Sequence, residues 1–143
     1  MLDYMKTKSF CLVALIISLR LISAAPPLPA PDANALKWDA ESKQCAPKPG
    51  ETSVAFTFVC TNVSAYEVSI NGLQTSCGCT VAQLPSTPYK LEPGSNVAIN
   101  VSMNIAGKYG LITKGVTVES TAGTKSLLVN ADIPMPAKTS ETN

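Results

Sequence analysis

Apolar and polar residues alternate at period two along most of the middle of the chain. Val54, Phe56, Phe58 and Cys60 fall on one side of their segment, with Ser53, Thr57 and Thr61 among those on the other. Val97, Ile99, Val101 and Met103 alternate in the same way with Asn96, Asn100, Ser102 and Asn104, and so do Leu127, Val129, Ala131 and Ile133 with their neighbours. Val116 with Val118, and Val68 with Ile70, are shorter instances, and Thr80 to Leu84 is a further strand candidate. This is the period of a strand with one buried face. No stretch between residues 36 and 133 sustains the i, i+3, i+4 spacing of an amphipathic helix.

Turn residues separate the alternating segments: Pro49-Gly50, Asn71-Gly72, Pro93-Gly94, Gly107 with Gly110, and Ala122-Gly123. About seven short strands with closely spaced turns predict an all-β fold, an immunoglobulin-like antiparallel β-sandwich. Two layers follow because each apolar face needs another to cover it. The disulfide staple of true immunoglobulin domains is not expected. Cys60 suits the second strand, but Thr113 to Ser120 holds no cysteine, and Trp38 precedes Cys60 rather than following it. Trp38 reads as a core residue, since no neighbouring aromatic suggests ligand stacking.

The ends of the chain differ from its middle. Lys6 and Lys8 precede a short apolar run from Phe10 to Leu19, and Ser23-Ala24-Ala25 supplies small residues for cleavage. Residues 1–24 are therefore expected to be a signal peptide, cut after Ala24 because Pro26 hinders a cut after Ala25. The run is shorter than the roughly 20 apolar residues that a bilayer needs, so no stable membrane span is expected after cleavage. Residues 25–35 contain a proline spacer, residues 36–133 form one domain, and residues 134–143 read as a disordered tail. Export to the periplasm or the extracellular space is the expected destination.

Charge and composition narrow the function. The sequence has 11 Lys and Arg against 10 Asp and Glu. Beyond residue 25 there is no arginine and no cluster of lysines, so nucleic-acid binding has no electrostatic footprint. There is no histidine anywhere in the chain. That removes the commonest general base, the usual imidazole ligand and any Ser-His or Cys-His pair. None of the carboxylates past residue 25 sits in a paired catalytic motif, and the chain reads as a non-enzyme.

The remaining chemistry is carried by Ser76-Cys77-Gly78-Cys79-Thr80. In an extended strand, residues two apart are separated by roughly 6.6 Å and share a face. That is near the upper limit for a disulfide, and a bend at Gly78 would shorten it. Cys45 and Cys60 complete a set of four disulfide candidates with Cys77 and Cys79, which allows three full pairings. Two thiolates at this spacing also suit a soft cofactor ion, Cu(I), with Met103 and Met135 as helpers. Zinc fits less well, because its paired cysteines are usually separated by two residues or more. Redox exchange lacks the Cys-x-x-Cys at a helix start that depresses a thiol pKa. The plainest reading is structural, with cysteines as small buried hydrophobes or as disulfide anchors. Asn62-Val63-Ser64 and Asn100-Val101-Ser102 match the glycosylation sequon, and Gly107-Lys108-Tyr109-Gly110 reads as a turn rather than a phosphate loop.

Taken in order, Leu36-Lys37-Trp38-Asp39, Phe56-Thr57-Phe58 with Asn62, the Ser-Cys-Gly-Cys-Thr signature, Leu91-Glu92-Pro93-Gly94, Gly107-Lys108-Tyr109-Gly110 and Thr117-Val118-Glu119-Ser120 resemble a family of exported bacterial domains of unknown function. The resemblance covers about residues 36–133. It implies an immunoglobulin-like sandwich related to cilium-associated and major-sperm-protein type domains, and it carries no activity. Cys45 and Cys60 depart from the family pattern. The leading expectation is an exported binding or envelope-interaction module whose partner is another extracytoplasmic protein. The rival is a soft-metal or thiol-handling protein that uses Cys77 and Cys79.

Overall fold

A computed structural model describes residues 32–136, and these form nine strands and no helix. They are β1 (Leu36–Trp38), β2 (Ser42–Cys45), β3 (Ser53–Asn62), β4 (Val68–Thr75), β5 (Thr80–Gln83), β6 (Tyr89–Leu91), β7 (Asn96–Asn104), β8 (Gly110–Ser120) and β9 (Gly123–Ile133). The expected signal peptide, residues 25–31 of the spacer and residues 137–143 of the tail lie outside the described residues.

Two sheets face each other, in the orders β1-β3-β7-β5 and β2-β9-β8-β4-β6. The alternation determines which faces meet. Phe56, Phe58 and Cys60 of β3 and Val97, Ile99, Val101 and Met103 of β7 are buried from one sheet. Val116 and Val118 of β8 and Leu127, Val129 and Ala131 of β9 are buried from the other. Phe58 is among the largest fully buried side chains, so its contribution should exceed that of any polar outer-face position.

The sandwich is the expected fold, and it differs from the sequence pattern in three details. Nine strands appear where alternation suggests about seven, because strands of three or four residues such as β1, β2 and β6 are too short to display a period. One pair, β2 with β9, is parallel; every other pairing is antiparallel. Asn71-Gly72 is not a turn. It lies within β4, where the register against β8 shifts between Ile70 and Gly72, and it forms a bulge. Gly72 does not take a positive φ, whereas Gly94, Gly107 and Gly123 at the other expected turns do.

The parallel pair arises because the first strand changes sheets. Leu36–Trp38 pairs with β3, and after Asp39 the chain crosses to lie beside β9. Asp39 braces this crossing. Its Oδ1 accepts from the amides of Ala40 and Val59, and its Oδ2 accepts from Lys43 Nζ at 2.6 Å. Partial burial pushes the Asp39 carboxyl up, but the hydrogen bonds from Lys43 and from the Val59 and Ala40 amides outweigh it and hold it below the ordinary carboxylate value. Lys43 also donates to the Thr57 carbonyl and lies over the Phe58 ring at 5.3 Å.

Candidate functional site

The two ends of the sandwich are built from different materials. At the end where β3 finishes, Asn62 is fully buried and its side chain is saturated. Nδ2 donates to the carbonyls of Tyr66 and Leu91, each at 2.8 Å, and Oδ1 accepts from the amide and hydroxyl of Ser64. Asn62 therefore ties β3 to β6 and to the loop between β3 and β4. Burial removes it as a glycosylation acceptor, whereas Asn100 of the other sequon is exposed on β7.

The opposite end carries the cysteine signature. Residues 76–79 connect β4 of one sheet to β5 of the other, so the Cys-Gly-Cys segment bridges the layers. The Thr80 amide bonds back to the Cys77 carbonyl at 3.2 Å, and the Asn104 amide donates to the Cys79 carbonyl at 2.8 Å. Thr75 Oγ1 reaches the carbonyls of both Cys77 and Thr80. Ser76 is held to β8 by its amide on the Gly115 carbonyl and by the Gly115 amide on its hydroxyl, each at 3.0 Å.

This bend brings the Cα atoms of Cys77 and Cys79 to 5.4 Å, inside the range that a disulfide tolerates, and their sulfurs are bonded to each other at 2.16 Å. Thr80 is almost fully buried, and its hydroxyl lies 3.6 Å from the Cys77 sulfur and 3.8 Å from the Cys79 sulfur. Gly78 is exposed, and a Cβ placed there would meet nothing within 4 Å. Both cysteines are half-buried, so the bonded sulfurs rest against the Thr80 hydroxyl in a loop whose glycine faces solvent.

Cys45 and Cys60 are separate thiols. Cys60 pairs with Val97 and Trp38 near the Asn62 end, while Cys45 pairs with Ala131 near the signature. Burial pushes the Cys60 thiol up to about 12, which makes it a core hydrophobe in practice. Burial also raises the Cys45 thiol, with the Glu51 charge adding to it. Of the methionines named as Cu(I) helpers, Met103 is fully buried in the core and Met135 lies in a separate cleft. Among the described residues, no group of three or more His, Cys, Asp or Glu side chains gathers as metal ligands.

A cleft of about 570 Å³ opens at the signature-bearing end. Its apolar lining includes Ile105, Tyr109, Ile133, Pro134 and Met135, and Lys48 and Lys108 also line it. Tyr109 is 55% exposed and Met135 75%, and nearby Leu111 on β8 is 65% exposed. Sequence reasoning missed this surface. Its residues come from two separated loops and the exit of β9, and none of those segments is apolar enough to stand out alone. Trp38, expected in the core, packs against it only partly and lines a shallow hollow with Leu36 and Lys125.

A family model described as a protein of unknown function, DUF1573, matches residues 36–133. No curated protein matches the chain in sequence. Among solved structures, a protein of unknown function from Porphyromonas gingivalis W83 superposes with a TM-score of 0.61 at 15% identity, over 75% of this chain and 50% of that one. The PapD-like domain 7 of human CEP192 gives 0.57 at 11% identity, over 82% and 97% of the two chains. The secreted serine protease VesC from Vibrio cholerae gives 0.56 at 14% identity, over 76% and 25%. This chain thus spans half of the Porphyromonas protein and a quarter of the protease. At such identities the likeness is one of fold, and it agrees with the immunoglobulin-like sandwich expected from the sequence.

Proposed function

This chain belongs to the DUF1573 family of proteins of unknown function, and from that premise we propose that it is an exported, non-enzymatic binding module. It docks another extracytoplasmic protein through the end of the sandwich that carries the cysteine signature. The observation that supports this is the concentration of exposed apolar side chains there. Tyr109, Leu111 and Met135 are three of the six exposed large hydrophobics among the described residues, and two of them line one cleft. Contiguous exposed apolar surface with a polar rim is what interaction sites present, and tyrosine and methionine are favoured contact residues.

The opposite features support a binding role over catalysis. The chain has no histidine. The carboxylate whose acidity is altered, Asp39, is committed to bracing the β1–β2 crossing. The outermost strands, β1, β5, β2 and β6, are only three or four residues long, which favours a surface contact over addition of a partner strand.

The test places a photoreactive amino acid at residue 109 or, as the control, at exposed residue 98 on the outer face of β7. Each variant is expressed in the native cell, and the extracytoplasmic fraction is irradiated. The expected result is a discrete adduct from position 109 and none from position 98, on protein whose N-terminus begins near Ala25. Equal labelling from both positions, or an intact Met1 in the mature pool, would defeat the proposal.

A further inference from the structure

The cysteine pair has surroundings that a purely structural bridge does not need, and these begin with the register of β8. Lys114 pairs with Val129, which is fully buried, so Lys114 is on the inward-facing side of its strand. On the other side of β8, Thr75 pairs with Val116, and Ser76 is hydrogen-bonded to Gly115 in both directions. The ladder itself ends at Thr75 and Val116; extended through Ser76 and Gly115, its register would set Cys77 across from Lys114.

Two lysines flank Val129 on this face, because Lys43 pairs with it from β2. They are not equivalent. Lys43 is bound to Asp39. No carboxylate lies within 4 Å of Lys114 among the described residues. A half-buried lysine with no carboxylate partner among the described residues, on the strand position that faces Cys77, has one evident anion to stabilise: a thiolate. The buried Thr80 hydroxyl, nearer to the Cys77 sulfur than to that of Cys79, supplies a hydrogen bond to the same species.

We propose that Cys77 and Cys79 form a thiol–disulfide exchange couple for thiol-bearing partners, with Cys79 as the sulfur attacked and Cys77 as the leaving group. An incoming thiolate bonds to Cys79 Sγ while the Cys77–Cys79 bond breaks. Its electron pair stays on Cys77 Sγ as a thiolate, beside the Thr80 hydroxyl and on the side that faces Lys114 of β8. A second thiolate of the same substrate then attacks the substrate sulfur of the mixed disulfide. The substrate leaves as a disulfide and Cys79 is released as a thiolate, which takes up a proton from water. The substrate dithiol is oxidised by two electrons and the cysteine pair is reduced by two. The substrate class is a dithiol, and two molecules of a monothiol serve equally. Lys114 is a positioning residue, since it acts through Cys77.

This activity is distinct from docking and does not depend on the apolar cleft, so small thiols alone can test it. The oxidised full-length mature protein is treated with reduced glutathione, quenched with acid at intervals, and analysed by peptide mass spectrometry. The expected result is a transient glutathione adduct on Cys79, followed by the free dithiol. Lys114→Met should slow the first step by about three- to tenfold, because leaving-group rates follow thiol acidity. Lys114→Arg, which keeps the charge, should stay within about twofold of wild type. Circular dichroism on all three proteins separates this from unfolding, and the Arg variant retains the test if the Met variant does not fold. An adduct found mainly on Cys77, an unchanged rate in folded Lys114→Met, a loss in Lys114→Arg as large as in the Met variant, or no reduction by glutathione would each overturn the proposal.

Discussion

The two ends of this sandwich solve the same problem in opposite ways. Each has to close the gap between the sheets where the strands stop. At one end a buried polar side chain, Asn62, closes it with four hydrogen bonds, and Ala35, Val68 and Ala122 seal the remaining space. Every partner of that asparagine is local protein, so nothing is left over for a ligand. At the other end a six-residue stretch from Thr75 to Thr80 crosses between the sheets, held by its own backbone and by Thr75 and Ser76. Apolar side chains remain in solvent around it. The saturated end serves the fold, and on the proposed reading the end with exposed apolar surface and a half-buried disulfide is the one left for partners.

The largest expected effect lies between the ends, in the core that both depend on. Phe58→Ala should cost about 3–5 kcal/mol, whereas Ser102→Ala on the outer face should change little. Denaturant unfolding of the two variants checks this, and similar midpoints would mean that the strand faces are wrongly assigned.

Asn62→Ala should come next, at about 2–4 kcal/mol, since it leaves the Leu91 and Tyr66 carbonyls without their buried donor. A loss below about 1 kcal/mol in the same unfolding measurement would remove the contrast between a saturated end and an open one.

Replacing both Cys77 and Cys79 with serine should cost less, about 1.5 kcal/mol. A bridge between residues two apart closes so small a ring that it removes little entropy from the unfolded chain. Thermal unfolding under non-reducing conditions checks it; a loss as large as that of Phe58→Ala would make the bridge a structural staple.

Tyr109→Ser should alter stability by less than about 0.5 kcal/mol while removing the partner cross-linked through a photoreactive amino acid moved to exposed residue 111, as expected of a contact residue that is exposed in the free protein. Loss of stability and of partner together would assign Tyr109 to the fold. At the saturated end one substitution should cost nothing. Tyr66 keeps a buried hydroxyl with no hydrogen-bond partner among the described residues. Tyr66→Phe should therefore be neutral or stabilising by up to about 1 kcal/mol, and a clear destabilisation in the unfolding midpoint would point to an unrecognised partner.

The parts legible in the sequence were those with enough repeats to average over. Asn96 to Asn104 alternates through nine residues, and its phase is the one observed. The strand that ends at Ile133 also keeps its expected inward set. β6 spans only three residues, and a single alternation carries no phase information. Asn71-Gly72 reads as a turn because the dipeptide favours one. It becomes a bulge because flanking residues on both sides pair with the same strand, β8. In the candidate site, the Cys-Gly-Cys signature was visible as a motif. Lys114 was not, since its significance depends on a strand nearly forty residues away.

Local pattern alone determined the class of fold, the inward faces of the long strands and the exceptional character of residues 76–80, because each is a property of adjacent positions. Tertiary structure decided the rest. It bonded Cys77 to Cys79 and placed Cys45 and Cys60 toward opposite ends, made Asn62 a buried hub instead of a sequon, and gathered Ile105, Tyr109, Ile133 and Met135 into one cleft. The physical reason is that a hydrogen bond, a disulfide or a cleft is a relation between distant residues. The order of strands in the two sheets, which no single segment encodes, determines which of them meet.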